Sequence, residues 1–288
     1  MNPAGFEYFA PGSLAEALDL LVQQGPDAKL LAGGHSLLPA MKLRLAQPEC
    51  LIDLRRVPNL QGVRRDGNQL VIGAMTTYVD LAAAELVREH LPGLADAARM
   101  VGDVQVRNRG TIGGSVAHAD PAADLPVVLT ALDATFTLVS TVGSRVVEVG
   151  DFFQAFFTTA LRPDEVLTEV RVSVTERSGS AYRKLPHPAS GYVVVSAGVV
   201  LTLGADGTCI AARVALGGLE GSPVRAEATE AALIGQTLTP DLIAEAASHA
   251  ADGTYPDADL YASADYKRHM AAVLAQQSIE VAGRRAGA

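Results

Sequence analysis

The spacing of apolar residues predicts alternating helices and strands in the first part of the chain. Ser13 and Glu16 have the spacing of a capping box, and the apolar positions behind them recur every three or four residues until Gly25. Short apolar runs at 29–32 and 50–54 are typical of buried strands. This order of elements favours an α+β or α/β layer at the N-terminus.

Farther along, turn residues separate apolar runs of strand length. Asp66-Gly67-Asn68 and Ala205-Asp206-Gly207 each join two such runs, so both segments predict β-hairpins. Further strands are predicted at 134–140, 144–149 and 166–174. Helices are predicted at 78–100 with an interruption at 91–93, and at 124–132, 225–234, 241–251 and 263–281. The polar segment 175–180 marks the predicted boundary between two units, 1–177 and 178–288.

The charge of the chain narrows the range of partners. The net charge is −9 and no block of Lys and Arg is present, which disfavours a nucleic-acid or acidic-membrane surface. The N-terminus has no signal-peptide pattern and no apolar run has the length of a spanning helix, so we expect a cytoplasmic protein. Cys50 and Cys209 are too few to ligate an iron–sulfur cluster alone and are predicted to be buried thiols.

Two glycine pairs are the most informative local features. Gly33-Gly34 and Gly113-Gly114 both lie beside hydroxyl residues, and the first pair directly follows a predicted strand. Because glycine has no Cβ, backbone N–H groups at such loops can converge on phosphate oxygens. Neither loop matches G-x-G-x-x-G or G-x-x-x-x-G-K-[ST], so two other phosphate-binding motifs are absent. We predict a pyrophosphate held between two lobes; two ordinary tight turns are the alternative.

The remaining polar residues point to binding more than to catalysis. His35 and His118 lack metal-ligand spacing, so we expect them to pack near a ligand. Asp120 and Asp124 are four residues apart, a spacing that allows paired carboxylates on one helix face; a turn, a helix cap or hydrogen bonds to ligand hydroxyls are the favoured roles. No arrangement of side chains predicts a nucleophile, a catalytic residue or a metal ligand. A bound redox cofactor is therefore expected to carry the chemistry.

The glycine loops belong to longer motifs that identify a family. Ala32-Gly33-Gly34-His35-Ser36-Leu37-Leu38-Pro39, Thr111-Ile112-Gly113-Gly114-Ser115 and Asp120-Pro121-Ala122-Ala123-Asp124 resemble the FAD loops of the molybdenum-hydroxylase flavoproteins. That family includes the medium subunits of carbon monoxide dehydrogenases and the flavin domain of xanthine dehydrogenase. The similarity continues at 41–45, 72–77 and 164–167, and at 262–270 near the C-terminus. It covers essentially the whole chain.

The resemblance implies an α+β fold with a two-lobed FAD-binding domain of the PCMH type. The lobes span about 1–55 and 56–177, and a C-terminal domain with a small antiparallel sheet and a helical layer follows. The residues expected to contact the FAD phosphates and ribityl chain are Ala32, Gly33, Gly34, His35, Ser36, Leu37, Thr111, Gly113, Gly114 and Ser115. Asp124 is expected at the ribityl or adenosine side, and Leu167 and Lys184 at the flavin end. Tyr192 lies near the isoalloxazine, or is a structural residue at the start of a strand.

The resemblance also implies a function and partners. The chain would hold FAD non-covalently, accept electrons from 2Fe-2S clusters in a small subunit and pass them to an external acceptor. A large subunit would carry molybdopterin and the substrate site, in a dimer of heterotrimers that is cytoplasmic or reaches the inner face of the membrane. Ser115 stands where carbon monoxide dehydrogenases often have Asn. A purine, N-heterocycle or aldehyde hydroxylase, a self-sufficient flavin oxidase and an assembly module therefore remain alternatives.

Overall fold

The N-terminal lobe is a small parallel sheet flanked by helices. The computed structural model describes residues 2–287. The elements of this lobe are β1 (Glu7–Phe9), α1 (Leu14–Gln24), β2 (Ala28–Leu31), α2 (Leu37–Lys42) and β3 (Cys50–Asp53). The strand order is β1-β3-β2, and both neighbours run parallel to β3. The carboxyl end of β2 therefore leads directly into the first glycine pair.

Helix α1 confirms the boundaries predicted from the capping pattern. The Ser13 Oγ accepts the backbone N–H of Glu16 at 3.2 Å. Gly25 ends the helix with a φ of 71°, a left-handed conformation that glycine adopts at little cost. The buried side chains of Leu18 and Leu21 face the sheet, so the apolar stripe read from the sequence is the packed face of the helix.

The second lobe combines an antiparallel sheet with short helices. Its strands are β4 (Val63–Asp66), β5 (Gln69–Gly73), β6 (Thr135–Ser140), β7 (Gly143–Glu148), β8 (Phe153–Ala155), β9 (Thr158–Thr159) and β10 (Val166–Ser173). Its helices are α3 (Tyr78–Ala83), α4 (Glu85–His90), α5 (Pro92–Met100), α6 (Val104–Arg107), α7 (Ile112–His118), α8 (Asp124–Ala131) and α9 (Val149–Phe152). Five strands form one sheet in the order β4-β5-β10-β6-β7, and β8 pairs only with β9 among the described residues.

The C-terminal region packs three helices with a second antiparallel sheet. Its elements are β11 (Ser178–Pro186), β12 (Val193–Leu203), β13 (Cys209–Gly217), β14 (Val224–Arg225), α10 (Glu227–Leu233), α11 (Pro240–Ser248) and α12 (Ala264–Ala286). The strand order is β11-β12-β13-β14. This arrangement confirms the α+β class and the predicted small sheet with its helical layer. Cys50 and Cys209 are free and buried, as predicted.

Helix α8 joins the second lobe to the C-terminal sheet. All of its residues are buried, and it shares one hydrophobic core with Phe136 of the five-stranded sheet. On its other side it packs against β12 and β13. A Cβ on Gly198 would lie 3.1 Å from the Cα of Val128, and one on Gly217 would overlap the side chain of Val127. The two glycines thus allow the helix backbone to approach the sheet closely.

Three sequence expectations need correction. The helical segment predicted over 78–100 is interrupted at Leu91 as predicted, but Ala84 also leaves the helical region, so the segment forms three helices. The short strand β1 was not predicted, and no strand was predicted at 178–186. That second segment was missed because its small polar residues hide a buried strand that includes Ser180 and Tyr182.

Within residues 2–287, none of the helices combines the length and apolarity needed to cross a bilayer.

Candidate functional site

The first glycine pair forms an open loop between β2 and α2. Gly34 has a φ of 77°, a left-handed conformation that glycine adopts at little cost. The backbone N–H groups of Gly34, His35 and Ser36 have no hydrogen-bond acceptor within the described part of the chain. A row of free backbone donors of this kind suits phosphate oxygens. It does so without a cation, which is consistent with an acidic protein.

Gly33 serves a different purpose in the same loop. A Cβ at this position would overlap the backbone carbonyl of Arg109, so only glycine lets the two segments touch. The contact brings the first glycine loop against the start of the second motif. Two stretches that are far apart in the sequence therefore become neighbouring walls of one site.

The second glycine pair is not a phosphate-binding loop of the predicted kind. It lies in the first turn of α7, where the Gly113 N–H donates to the Ala74 carbonyl at 2.8 Å. The Gly114 N–H donates to the Thr111 Oγ1 at 3.0 Å, which makes Thr111 the N-cap of the helix. Both donors are used inside the protein. The pattern of Thr111 followed by apolar Ile112 and Val116 is the helix-start signal that sequence reasoning overlooked.

A cavity lies between these two motifs and the β10 region. Its volume of about 870 Å³ is at the upper end of the range for small-molecule and cofactor sites. All predicted cofactor contacts except Lys184 line it: Ala32, Gly33, Gly34, His35, Ser36, Leu37, Thr111, Gly113, Gly114, Ser115, Asp124, Leu167 and Tyr192. Wall residues outside that prediction include Lys29, Tyr78, His118, Phe157, Arg162 and Glu165. The free N–H groups and the space beside them fit a dinucleotide such as FAD.

Lys184 lies behind the cavity wall, where it supports Asp124. The Lys184 Nζ is 2.8 Å from the Asp124 Oδ1 and donates to the Gly191 carbonyl at 2.7 Å. The Tyr182 hydroxyl also donates to the Asp124 Oδ1, at 3.0 Å. Burial raises the pKa of Asp124, and the attraction of Lys184 opposes that shift. The cluster fixes a carboxylate on the wall and ties it to the segment that carries Tyr192.

Tyr192 and Tyr78 contribute phenol groups to the wall. Tyr192 is 46% exposed, and partial burial raises the pKa of its phenol, helped by the charges of Asp120 and Asp124. Burial raises the pKa of Tyr78 to about 12. Both phenols therefore keep their protons at neutral pH and can act as hydrogen-bond donors.

The other polar candidates have turn and packing roles. Asp120 does not share a helix with Asp124; its Oδ1 accepts the Ala122 N–H at 2.9 Å within a turn before α8. His35 and His118 both line the cavity, as expected for histidines beside a ligand. The ring of His118 lies 5.0 Å from the ring of Phe157.

Comparison with known proteins places this geometry in a family. Residues 4–174 match the model of the FAD binding domain in molybdopterin dehydrogenase. Residues 180–282 match the model of the CO dehydrogenase flavoprotein C-terminal domain. The chain therefore belongs to the family of FAD-binding subunits of molybdopterin dehydrogenases. The family resemblance read from the sequence is confirmed.

Individual relatives match over nearly the full length. The chain is 42% identical over 286 residues to the carbon monoxide dehydrogenase medium chain of Hydrogenophaga pseudoflava, covering 99% of each. It is 38% identical to the glyceraldehyde dehydrogenase medium chain of Sulfolobus acidocaldarius, covering 97% of this chain and 99% of the relative. Its fold superimposes with a TM-score of 0.94 on a chain of a solved Hydrogenophaga pseudoflava carbon monoxide dehydrogenase, at 45% identity and 99% coverage of each.

Proposed function

We propose that this chain is the FAD-binding, electron-transferring subunit of a molybdenum hydroxylase complex of the carbon monoxide dehydrogenase type. The observation that carries the proposal is the cavity of about 870 Å³ beside the loop at Gly34, where backbone N–H groups have no acceptor within the described part of the chain. The family match and the full-length likeness to carbon monoxide dehydrogenase medium chains support it. When bound, FAD supplies a centre that takes up and releases electrons.

The chain's own residues bind and orient the cofactor in this proposal. The N–H groups of Gly34, His35 and Ser36 hold phosphate oxygens, and the hydroxyl of Ser36 is beside them. The carboxylate of Asp124, fixed by Lys184, is an acceptor for ribityl or ribose hydroxyls. The apolar wall excludes water from the ring system, which strengthens these polar contacts.

The complex divides the remaining work among other subunits. Because the full-length relatives include carbon monoxide dehydrogenase medium chains, we assign substrate oxidation to a molybdopterin subunit. We assign electron delivery to a subunit with 2Fe-2S clusters. We further propose a cytoplasmic dimer of heterotrimers, an external electron acceptor, and a division of this chain at 177/178. In this proposal the complex can reach the inner face of the membrane through its partner subunits.

A second candidate differs in substrate. The identity to a glyceraldehyde dehydrogenase medium chain nearly equals that to the carbon monoxide dehydrogenase chain, which favours an aldehyde as the other substrate class. Mixing the purified complex with carbon monoxide or an aldehyde separates the two candidates, since only the true substrate bleaches the iron–sulfur absorbance. Bleaching of the isolated chain's flavin by either compound would instead identify a self-sufficient oxidase.

The direct test of the proposal is release of the cofactor. The purified chain should be yellow, and acid precipitation should leave FAD in the supernatant, since no covalent link is expected. FMN in the supernatant, or yellow colour retained in the pellet, contradicts the proposed site. A colourless chain that takes up no added FAD would overturn the function itself.

Gly34→Ala tests the phosphate loop. The substitution forces a non-glycine residue into the left-handed region and places a Cβ 2.9 Å from the Leu38 Cδ1, so the N–H groups change direction. Losing one hydrogen bond to a charged group should raise the FAD dissociation constant by about 10- to 150-fold. Gly67→Ala is the matched control, because its φ is also positive and nothing surrounds it. An equal loss of FAD affinity in both variants would show that the loop at Gly34 has no special role in binding the cofactor.

A further inference from the structure

An unusual turn lies at the edge of the cavity. β8 and β9 pair through Ala155 and Thr158, which leaves Phe156 and Phe157 as the two central turn residues. Phe157 has a φ of 51°. Positive φ at the second central position of a turn favours Gly or Asn, and for a bulky residue it is an outlier. The chain therefore has a phenylalanine at a position where the backbone conformation favours Gly or Asn.

The ring of Phe157 is directed toward the cavity. It lines the wall, is 57% exposed, and lies 5.0 Å from the ring of His118. Its N–H donates to the carbonyl of Ala119 at 3.3 Å, and Ala119 is itself left-handed with a φ of 49°. Two residues with positive φ thus meet at this hydrogen bond. Such local strain is typical of residues that contact ligands.

The neighbouring Phe156 provides an internal comparison. It has the same chemistry and is 61% exposed, yet it is absent from the cavity wall and its φ is not positive. Its ring instead lies over Gly221, where a Cβ would be 2.8 Å from the Phe156 Cδ2. Exposure alone therefore does not explain the conformation of Phe157.

We infer that Phe157 is a further cofactor-binding residue, whose ring packs against the isoalloxazine ring system of FAD; this inference rests on the proposed function. The stretch after α7 connects Phe157 to Tyr192, because Ala119 accepts the Phe157 N–H and Ala122 accepts the Val193 N–H at 3.0 Å. Both aromatic side chains line the cavity, and the same short stretch, 119–122, holds the backbone beside each of them. Aromatic rings attract one another in offset or edge-to-face contact, and the larger ring system of FAD offers the greater contact area.

The test compares three variants of the full chain. In Phe157→Leu the FAD dissociation constant, measured by flavin fluorescence, should rise about three- to tenfold. In Phe157→Gly it should rise at least about tenfold, while the apoprotein's melting temperature stays equal or increases because the backbone strain is relieved. Phe156→Leu should leave the affinity unchanged. A purely structural role for Phe157 predicts the opposite pairing, lower stability with unchanged affinity.

Calorimetric titration with ADP identifies the ring that is contacted. ADP carries the adenine half of the cofactor without the flavin, so its affinity should be the same in the unsubstituted chain and in Phe157→Leu. An equal loss of ADP and FAD affinity would overturn the assignment to the isoalloxazine. Unchanged FAD affinity in both Phe157 variants would overturn the inference alone. Failure of the unsubstituted chain to bind FAD would overturn the proposed function and this inference with it.

Discussion

At the scale of single residues, the pair of Lys184 and Asp124 decides how one wall of the cavity is built. The sequence resemblance assigned both residues to the cofactor, but Lys184 lies behind the wall and only Asp124 faces the cavity. A buried carboxylate without its partner would be costly, because burial disfavours the charged form. Lys184 therefore acts on the cofactor site through Asp124 and through the Gly191 carbonyl.

Lys184→Met should destabilise the apoprotein by about 3–5 kcal/mol at pH 8, because it leaves a buried carboxylate unpaired. Without Lys184 the folded-state pKa of Asp124 rises further above its unfolded value. Stability is then lost as pH increases through the ordinary Asp range and beyond, so the deficit should be larger at pH 8 than at pH 5. Urea unfolding at the two pH values measures this difference.

Two controls accompany that measurement. Combining Lys184→Met with Asp124→Asn removes both charges and should recover part of the lost stability. Lys267→Met breaks a comparable 2.8 Å ion pair. Because its partner Asp259 is half-exposed, this substitution should lower the free energy of unfolding by less than Lys184→Met does. A deficit of Lys184→Met that does not depend on pH would show that Asp124 is not charged in the folded protein.

At the scale of elements, helix α7 converts the second glycine motif from a loop into a capped helix. Gly113 is required there because a Cβ would overlap Ala74. The backbone N–H of Gly114 donates to the hydroxyl of Thr111. The motif therefore shapes the wall through a fixed helix start. Its backbone donors at these two glycines are not available to phosphate.

Thr111→Ala should lower the free energy of unfolding by about 1 kcal/mol, because it removes the N-cap hydrogen bond of α7. It should also weaken FAD binding, since the first turn of this helix lines the cavity. Thr239→Ala is the matched control, because Thr239 caps α11 in the same way and does not line the cavity. Thr111→Ser, which keeps the hydroxyl, should restore both properties. Loss of FAD affinity in Thr239→Ala as well would show that general destabilisation is the cause.

At the scale of the whole molecule, the buried helix α8 couples the second lobe to the C-terminal sheet. Its first residue, Asp124, faces the cavity, and its middle packs on Gly198 and Gly217 of the sheet. Arg285 near the C-terminus adds a 2.7 Å ion pair to Asp96 of α5. The two regions therefore share a core, and we expect them to unfold together.

Gly217→Ala should destabilise the whole chain by about 1–3 kcal/mol, because the added Cβ overlaps Val127 and approaches the Ser196 Oγ at 2.8 Å. Calorimetry should show one transition at a lower temperature, and FAD affinity should fall because α8 carries Asp124. Gly150→Ala is the control, since nothing lies within 4 Å of its Cβ and alanine favours helix. Two separate transitions in either variant would show that the shared core does not couple the regions.

The sequence by itself determined the local elements and the family. The cap at Ser13 and the hairpins around Gly67 and Gly207 depend on neighbours in the chain, so the local sequence predicts them. The residues of the cavity wall were predicted from motifs that occur in the same order along the chain as in the family. Tertiary structure alone decided that Lys184 lies behind Asp124, that Gly33 meets the Arg109 carbonyl, and that the Phe157 ring reaches the cavity. Each of these contacts joins residues far apart in the sequence, and whether such groups meet depends on packing that no local pattern encodes.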